Sequence, residues 1–223
     1  MYKSIKWLIL LAITVVGLSG CTQPMKPPHV QAPPAATSVN RTYAIPYFNQ
    51  IKISGSVTVA LKSQQSRTLI TAHGSPEALE KGLSIKVQDG VLYINDNDPV
   101  TLNVMVTGDL VLSRVEVSDN AVLHAYWINS SNLHVKALDR AKIFLAGIVT
   151  KLDIVAKANS EVDAKYLRAD DAFVSTSGSA NVGVTVKKNL STLSTGRSTV
   201  YYYRDAELGL HYLAQSGSAL RMS

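Results

Sequence analysis

The chain has 223 residues, 46% of them hydrophobic and 17% charged, so it can bury a core, and global disorder is excluded. The formal net charge is +6, and a single cysteine rules out an intramolecular disulfide and argues against a cysteine-built zinc site. No Walker loop, HExxH, GxSxG, GxGxxG or EF-hand pattern occurs.

Residues 1–20 read as a lipoprotein signal peptide. Lys3 and Lys6 precede an apolar run from Trp7 to Leu18. That run has the length of a signal-peptide core and is short for a membrane span. It ends in Leu18-Ser19-Gly20-Cys21, which resembles the bacterial lipobox, so Cys21 is the expected site of cleavage and lipidation, palmitate included. By the sorting rule for such lipoproteins, Thr22 after the cysteine implies the outer membrane. Removing residues 1–20 takes away two lysines and no acid, which leaves +4. That mild charge on an exported chain gives no reason to expect nucleic acid.

Residues 21–44 read as the lipidated cysteine and a Pro-rich tether with Pro24, Pro27, Pro28, Pro33 and Pro34. Fully extended, it would reach on the order of 70 Å from the lipid.

From residue 45 the pattern is that of strands. Ile51, Ile53, Val57, Val59 and Leu61 alternate with polar residues around Ser54-Gly55-Ser56. Ser75-Pro76-Glu77 through Gly82 predicts one short helix. Leu83–Val87 and Val91–Ile94 flank Gln88-Asp89-Gly90, a hairpin signal. Leu102, Val104 and Val106 predict a further strand that ends at Gly108-Asp109.

Beyond Pro99 the chain repeats. Small residues recur at Ala121, Ala141, Ser160, Ala180, Ser198 and Ser218, in steps of 20, 19, 20, 18 and 20. Two positions later stands Leu123, Ile143, Val162, Val182, Val200 or Leu220. Matching columns precede them, from Val115 to Tyr212 and from Val117 to Ala214. Such a turn is too thin to bury its own apolar face, so a period of about 19–20 predicts stacked turns: an all-β parallel β-helix, or β-solenoid. An antiparallel β-sandwich is the alternative, but strand spacing alone would not align whole columns.

Phe48-Asn-Gln-Ile-Lys-Ile-Ser-Gly-Ser-Val57, the Pro-Glu helix, Val91-Leu-Tyr-Ile94, and the corners Ser177-Gly178-Ser179-Ala180 and Ser216-Gly217-Ser218-Ala219 together resemble the bacterial head GIN domain of auto-transporter adhesins. Asp119-Asn120-Ala121, Asp139-Arg140-Ala141 and Ala158-Asn159-Ser160 depart from it by lacking glycine. The resemblance covers about residues 45–223. It implies a right-handed parallel β-helix and an adhesive role, without a defined biochemical activity.

Asp119 and Asp139 share a repeat position. A carboxylate pair could cleave glycosides, but Ala158, Gly178, Gly196 and Ser216 at the same position read as a turn column. Asp119, Asp139, Asp153 and Asp163 are the acids to test for a carbohydrate-active enzyme, and none makes a convincing catalytic set. No histidine has metal-ligand spacing, so neither metal nor cofactor is expected. Arg140 and Arg197 share a corner column and could grip an anionic glycan. Trp127 and Tyr166 share an outward column two turns apart, while Tyr201 and Tyr203 face outward around an inward Tyr202. Aromatic faces beside lysines and arginines can stack sugars. The sequence thus predicts a non-enzymatic outer-membrane lipoprotein that binds or adheres to glycan, envelope polymer or protein. Its alternatives are an enzyme on a β-helix, or an envelope assembly protein that forms homo-oligomers through the solenoid end.

Overall fold

The structure, a computed structural model, describes residues 38–64, 68–204, 209–214 and 217–222. The expected signal peptide, Cys21 and the expected proline tether up to residue 37 lie outside them. Thirteen strands form one sheet among these residues: β1 (Val39–Ala44), β2 (Gln50–Gln64), β3 (Leu69–Gly74), β4 (Ser84–Gln88), β5 (Val91–Thr107), β6 (Arg114–Val117), β7 (Val122–Ala137), β8 (Lys142–Ala156), β9 (Glu161–Thr176), β10 (Asn181–Ser194), β11 (Thr199–Arg204), β12 (Gly209–Ala214) and β13 (Ser218–Arg221).

The fold is all-β, a β-solenoid of about five turns. Long strands bend around corners, and each turn pairs with the next in parallel. Lys142 sits beside Val122, Glu161 beside Lys142, and Asn181 beside Glu161. Parallel pairing between successive turns overturns the antiparallel sandwich. Stacking puts like residues above like, so the predicted columns become inner ladders. Ala121, Ala141, Ser160, Ala180 and Ser198 are buried, as are Leu123, Ile143, Val162, Val182 and Val200. The last turn slips by one residue. Val200 pairs with Ala219, not with Leu220, and Leu220 is exposed. The spacing of small residues concealed this, because Ser218 matched the composition of the column but pairs with Thr199.

The N-terminal strands belong to the same solenoid, but out of chain order. Strand β2 lies between β5 on one flank and β6 with β7 on the other, all parallel. The β5 end is closed by antiparallel β4 and β3, with β1 on β3. The expected hairpin joins β4 to β5, with Asp89 and Gly90 both in left-handed backbone. The expected short helix is one π-helical turn, Ala78–Gly82, and its Ala78 and Leu79 are buried. Val39–Ala44 corrects the tether boundary: these residues alternate as an edge strand on β3 and do not continue the tether.

One corner repeats through the stack in left-handed backbone: Gly55 (φ 89°), Asp119 (60°), Asp139 (59°), Ala158 (60°), Gly178 (76°) and Gly196 (73°). The corner carbonyls from Gly55 to Gly178 each accept from the next turn, as in Arg140 N–H to Asp119 O (2.9 Å) and Ser179 N–H to Ala158 O (2.7 Å). The Asp119–Asp139 position is therefore a turn column.

Candidate functional site

A second corner, where the chain leaves Ala125, Leu145 and Ala164, is built differently. In β7 the residues Tyr126 and Trp127 intervene before pairing resumes at Ile128 with Gly147. In β9 pairing with β10 breaks after Ala164 and resumes at Arg168. Bulges of this kind re-aim side chains. Here they push Trp127 and Tyr166 outward, 74% and 70% exposed, with Ile148 between them at 62%.

These residues line a cleft of about 550 Å³. Tyr126 and Trp127 form one wall and Tyr166 the other. Ile128, Ala146 and Gly147 lie between, and Asp109 and Asn129 add polar groups. Two rung spacings separate the walls, about 9.6 Å of backbone. Gly147, at φ 142°, is required there because a Cβ would run into the Ile128 backbone. Trp127 itself sits at φ 65°. Left-handed backbone costs a bulky L-residue about 1–2 kcal/mol. No described hydrogen bond offsets that cost for the exposed indole.

Lysines flank the cleft. Lys62 Nζ lies 6.0 Å from the Tyr126 ring centroid. Lys165 Nζ lies 5.9 Å from that of Tyr166 and 4.6 Å from that of Tyr203. Neither lysine makes a described salt bridge with a carboxylate. Beside the Tyr126 wall, His124 stacks on Phe144 at 4.6 Å, and burial holds its imidazole below the ordinary histidine value.

The structure brings Trp127 and Tyr166 into one cavity and places Tyr203 within reach of Lys165. Tyr201 and Tyr203 line a separate small opening, two rungs beyond Tyr166. Tyr202 packs against the core. Arg140 and Arg197 do not join this site. They stand exposed at the left-handed corner, where Arg140 Nε donates to Asn120 Oδ1 at 2.7 Å.

The four acids do not converge either. Asp119 Oδ2 accepts the Gly55 N–H at 2.9 Å, and Asp139 Oδ2 accepts the Asp119 N–H at 3.4 Å. Asp153 pairs with His134 at 2.8 Å, and Asp163 Oδ1 accepts the Lys165 N–H at 3.0 Å. Among the described residues, no group of three or more His, Cys, Asp or Glu is placed to hold a metal.

Sequence reasoning missed Tyr126, Ile148 and Lys165, because bulges break the column arithmetic at this corner. The usable signal was Tyr126-Trp127 standing where the next turn has only Ala146.

Solved structures of other bacterial proteins are similar to this chain. A crystal structure from Bacteroides fragilis, described as a "putative adhesin", superposes with TM-score 0.65 at 14% identity, covering 85% of this chain and 99% of that one. A "putative adhesin" of Parabacteroides merdae gives 0.46 at 15% identity, over 83% and 96% of the two chains. A "putative lipid binding protein" of Parabacteroides distasonis gives 0.47 at 14%, over 82% and 96%. No curated protein matches the sequence. Residues 47–206 match the family described as "Putative auto-transporter adhesin, head GIN domain". With most of the solenoid inside that match, the chain belongs to the head GIN domain family.

Proposed function

We propose that this is a lipid-anchored protein of the bacterial outer membrane that acts by binding and not by catalysis, and that it grips a glycan polymer at the Trp127–Tyr166 corner. One observation carries the reading: an indole held in strained backbone and left exposed opposite a second exposed ring. Strain concentrated at an exposed residue is a mark of functional sites. Aromatic faces two rungs apart suit the apolar faces of sugar rings. Lys62, Lys165, Asp109 and Asn129 can bond the hydroxyl edges. The backbone bonds that tie Asp119 and Asp139 into corner geometry support a non-catalytic role. The lipobox at Cys21 and the prolines after it support an anchor with reach.

The sequence contains two tryptophans, Trp7 and Trp127. The chain divides between Ala35 and Ala36, and the whole core cluster falls in the second unit. A fragment of residues 36–223 therefore keeps the core and reports ligand at the corner through Trp127 fluorescence alone. Titration against a polysaccharide panel is expected to give saturable quenching or shift. Trp127→Ala, followed by calorimetry, and Tyr166→Ala are each expected to weaken binding about tenfold or more, as hot-spot truncations do. Glycan binding indifferent to both substitutions would sink the assignment of the corner. In cells, a fatty-acid label is expected to be incorporated into the wild-type chain and not into Cys21→Ser. Absence of label from the wild type, or label that survives the substitution, would refute the anchor at Cys21.

A further inference from the structure

Gly183 is a strand glycine for which neither backbone nor packing calls. By contrast, Gly55, Gly90, Gly108, Gly147, Gly178 and Gly196 have left-handed φ, and a Cβ at Gly74, Gly82 or Gly217 would be crowded to 3.3 Å or less. At Gly183 a Cβ would meet nothing nearer than Asp163 Oδ1 at 3.8 Å and Tyr203 Cε2 at 4.0 Å. Glycine weakens a strand interior, and it often marks a place where another molecule approaches closely. Its missing side chain opens a notch of about 150 Å³, lined by Glu161, Asp163, Asn181, Tyr201 and Tyr203. Lys165 joins this notch to the Trp127 cleft, since it lies against Tyr203 on one side and Tyr166 on the other.

We propose that the Gly183 notch is a second subsite, continuous with the Trp127 cleft through Lys165, and that together they hold an extended polymer of N-acetylated amino sugars lying along the solenoid axis. The proposal rests on the glycan reading of the Trp127 corner. From β7 to β11 the two openings cover four rung spacings, about 19 Å. A ligand that repeats along its length matches a surface that repeats along its own.

The polar groups are of both kinds. Asp163 and Glu161 accept, while Lys165 and Asn181 donate, as a ligand rich in hydroxyl and amide groups requires. Asp109 and Asp163 balance Lys62 and Lys165, and Glu161 pairs with Lys142 at 3.4 Å, so the track does not select a strongly charged polymer. The exposed Ile148, with the part-exposed Ala146 in the same cleft, decides between sugar types. A plain hydroxyl leaves it uncovered, whereas the methyl of an acetamido group covers it.

The test is calorimetry and Trp127 fluorescence on residues 36–223. The probes are β-linked N-acetylglucosamine oligomers of one to six residues, with glucose oligomers of the same linkage and length beside them. Affinity is expected to rise about tenfold or more from dimer to tetramer as the second subsite fills. Glucose oligomers are expected to bind about tenfold more weakly, the scale of one buried methyl-sized group. Gly183→Val should abolish the length gain and leave dimer binding intact. Should valine disturb the fold by circular dichroism, Tyr203→Ala tests the same subsite.

A length gain that survives both substitutions overturns the second subsite but leaves the Trp127 reading standing. Equal binding of glucose oligomers overturns the acetamido assignment alone. Silence toward every oligomer, or a blue shift only with phosphatidylglycerol vesicles, overturns this inference and the glycan reading together.

Discussion

Ala158 carries a methyl group at φ 60°, in a corner column otherwise filled by glycine or aspartate among the described turns. The aspartates have a compensation, since Asp119 accepts the Gly55 N–H and so fastens its own corner to the turn before. Ala158 has no such bond to make. Ala158→Gly is therefore expected to raise stability by about 1 kcal/mol, the cost of a left-handed L-residue less the added freedom of the unfolded glycine. The reverse change one turn on, Gly178→Ala, should lower it by at least as much, because its Cβ would stand 2.9 Å from the Ala158 carbonyl oxygen. Urea midpoints at unchanged slope would check both. Trp127 shares the strained backbone of this column and, like Ala158, lacks the bond that compensates the aspartates, but it differs from Ala158 in carrying a large side chain that is left exposed. This column was legible in the sequence because Asp, Asn and Gly are the residues that tolerate its geometry. Gly55 was not recognised as its first member, because it precedes Asp119 by 64 positions, far from the period that revealed the others.

Strand β2 is fastened to its neighbours by charge as well as by backbone. Lys52 on β2, Glu116 on β6 and Lys136 on β7 occupy one register, and Glu116 Oε1 lies 3.3 Å from Lys52 Nζ and 3.4 Å from Lys136 Nζ. Burial alone would push the Glu116 carboxyl up, but Lys136 and Lys52 together hold it below its ordinary value of 4.5. A carboxylate with a lowered native pKa contributes stability above its unfolded value, and that contribution is lost as pH falls through the native one. Glu116→Gln should thus cost about 1 kcal/mol or less at pH 7, given that the lysines are part-exposed. The difference from wild type should vanish as pH falls below the ordinary glutamate range. Denaturation at pH 7 and at pH 3 separates this from a simple packing loss, which would persist at both. The alternation of Ile51, Ile53, Val57 and Val59 announced β2 as a strand. Its place could not be read, since alternation reports which face is buried and not which neighbour lies alongside.

Over the molecule as a whole, the interior changes character from one end to the other. Turns near β2 bury Val, Leu and Ile, whereas further on Thr176, Thr192, Ser194 and Ser198 take the inward positions. Thr176 Oγ1 lies 2.9 Å from both Ser194 Oγ and Ser198 Oγ, but Thr192 Oγ1 is buried with no described partner. In a stack whose stability is a sum of turns and their interfaces, hydroxyls in place of methyl groups weaken the turns that hold them. Amide exchange is therefore expected to be slowest in β2, β7 and β8 and faster in β11 and β13. Uniform protection along the stack would contradict this. The inward hydroxyls were visible in the sequence as column members, but their mutual hydrogen bonds depend on how the turns stack. Of the antiparallel closure at β5, the β4–β5 hairpin was announced by Asp89-Gly90, but the pairing of β3 with β5 and of β1 with β3 was not visible, because those strands alternate as any half-buried strand does.

The position of β2 also sets an order of assembly. A chain that emerges from its amino terminus presents β2 before either flank exists. Its β5 flank needs the chain through Thr107, and its other flank needs the chain through Ala125. The first turn in sequence is thus an interior turn in space, and the solenoid cannot be wound progressively from its beginning. From β2 the stack extends in two directions, one soon shut by the antiparallel strands, and β2 is secured only when later turns have been made. Lengthening by duplicated turns is then confined to the opposite direction, so family members of different reach should differ in the number of turns after β7 and agree in the closed end.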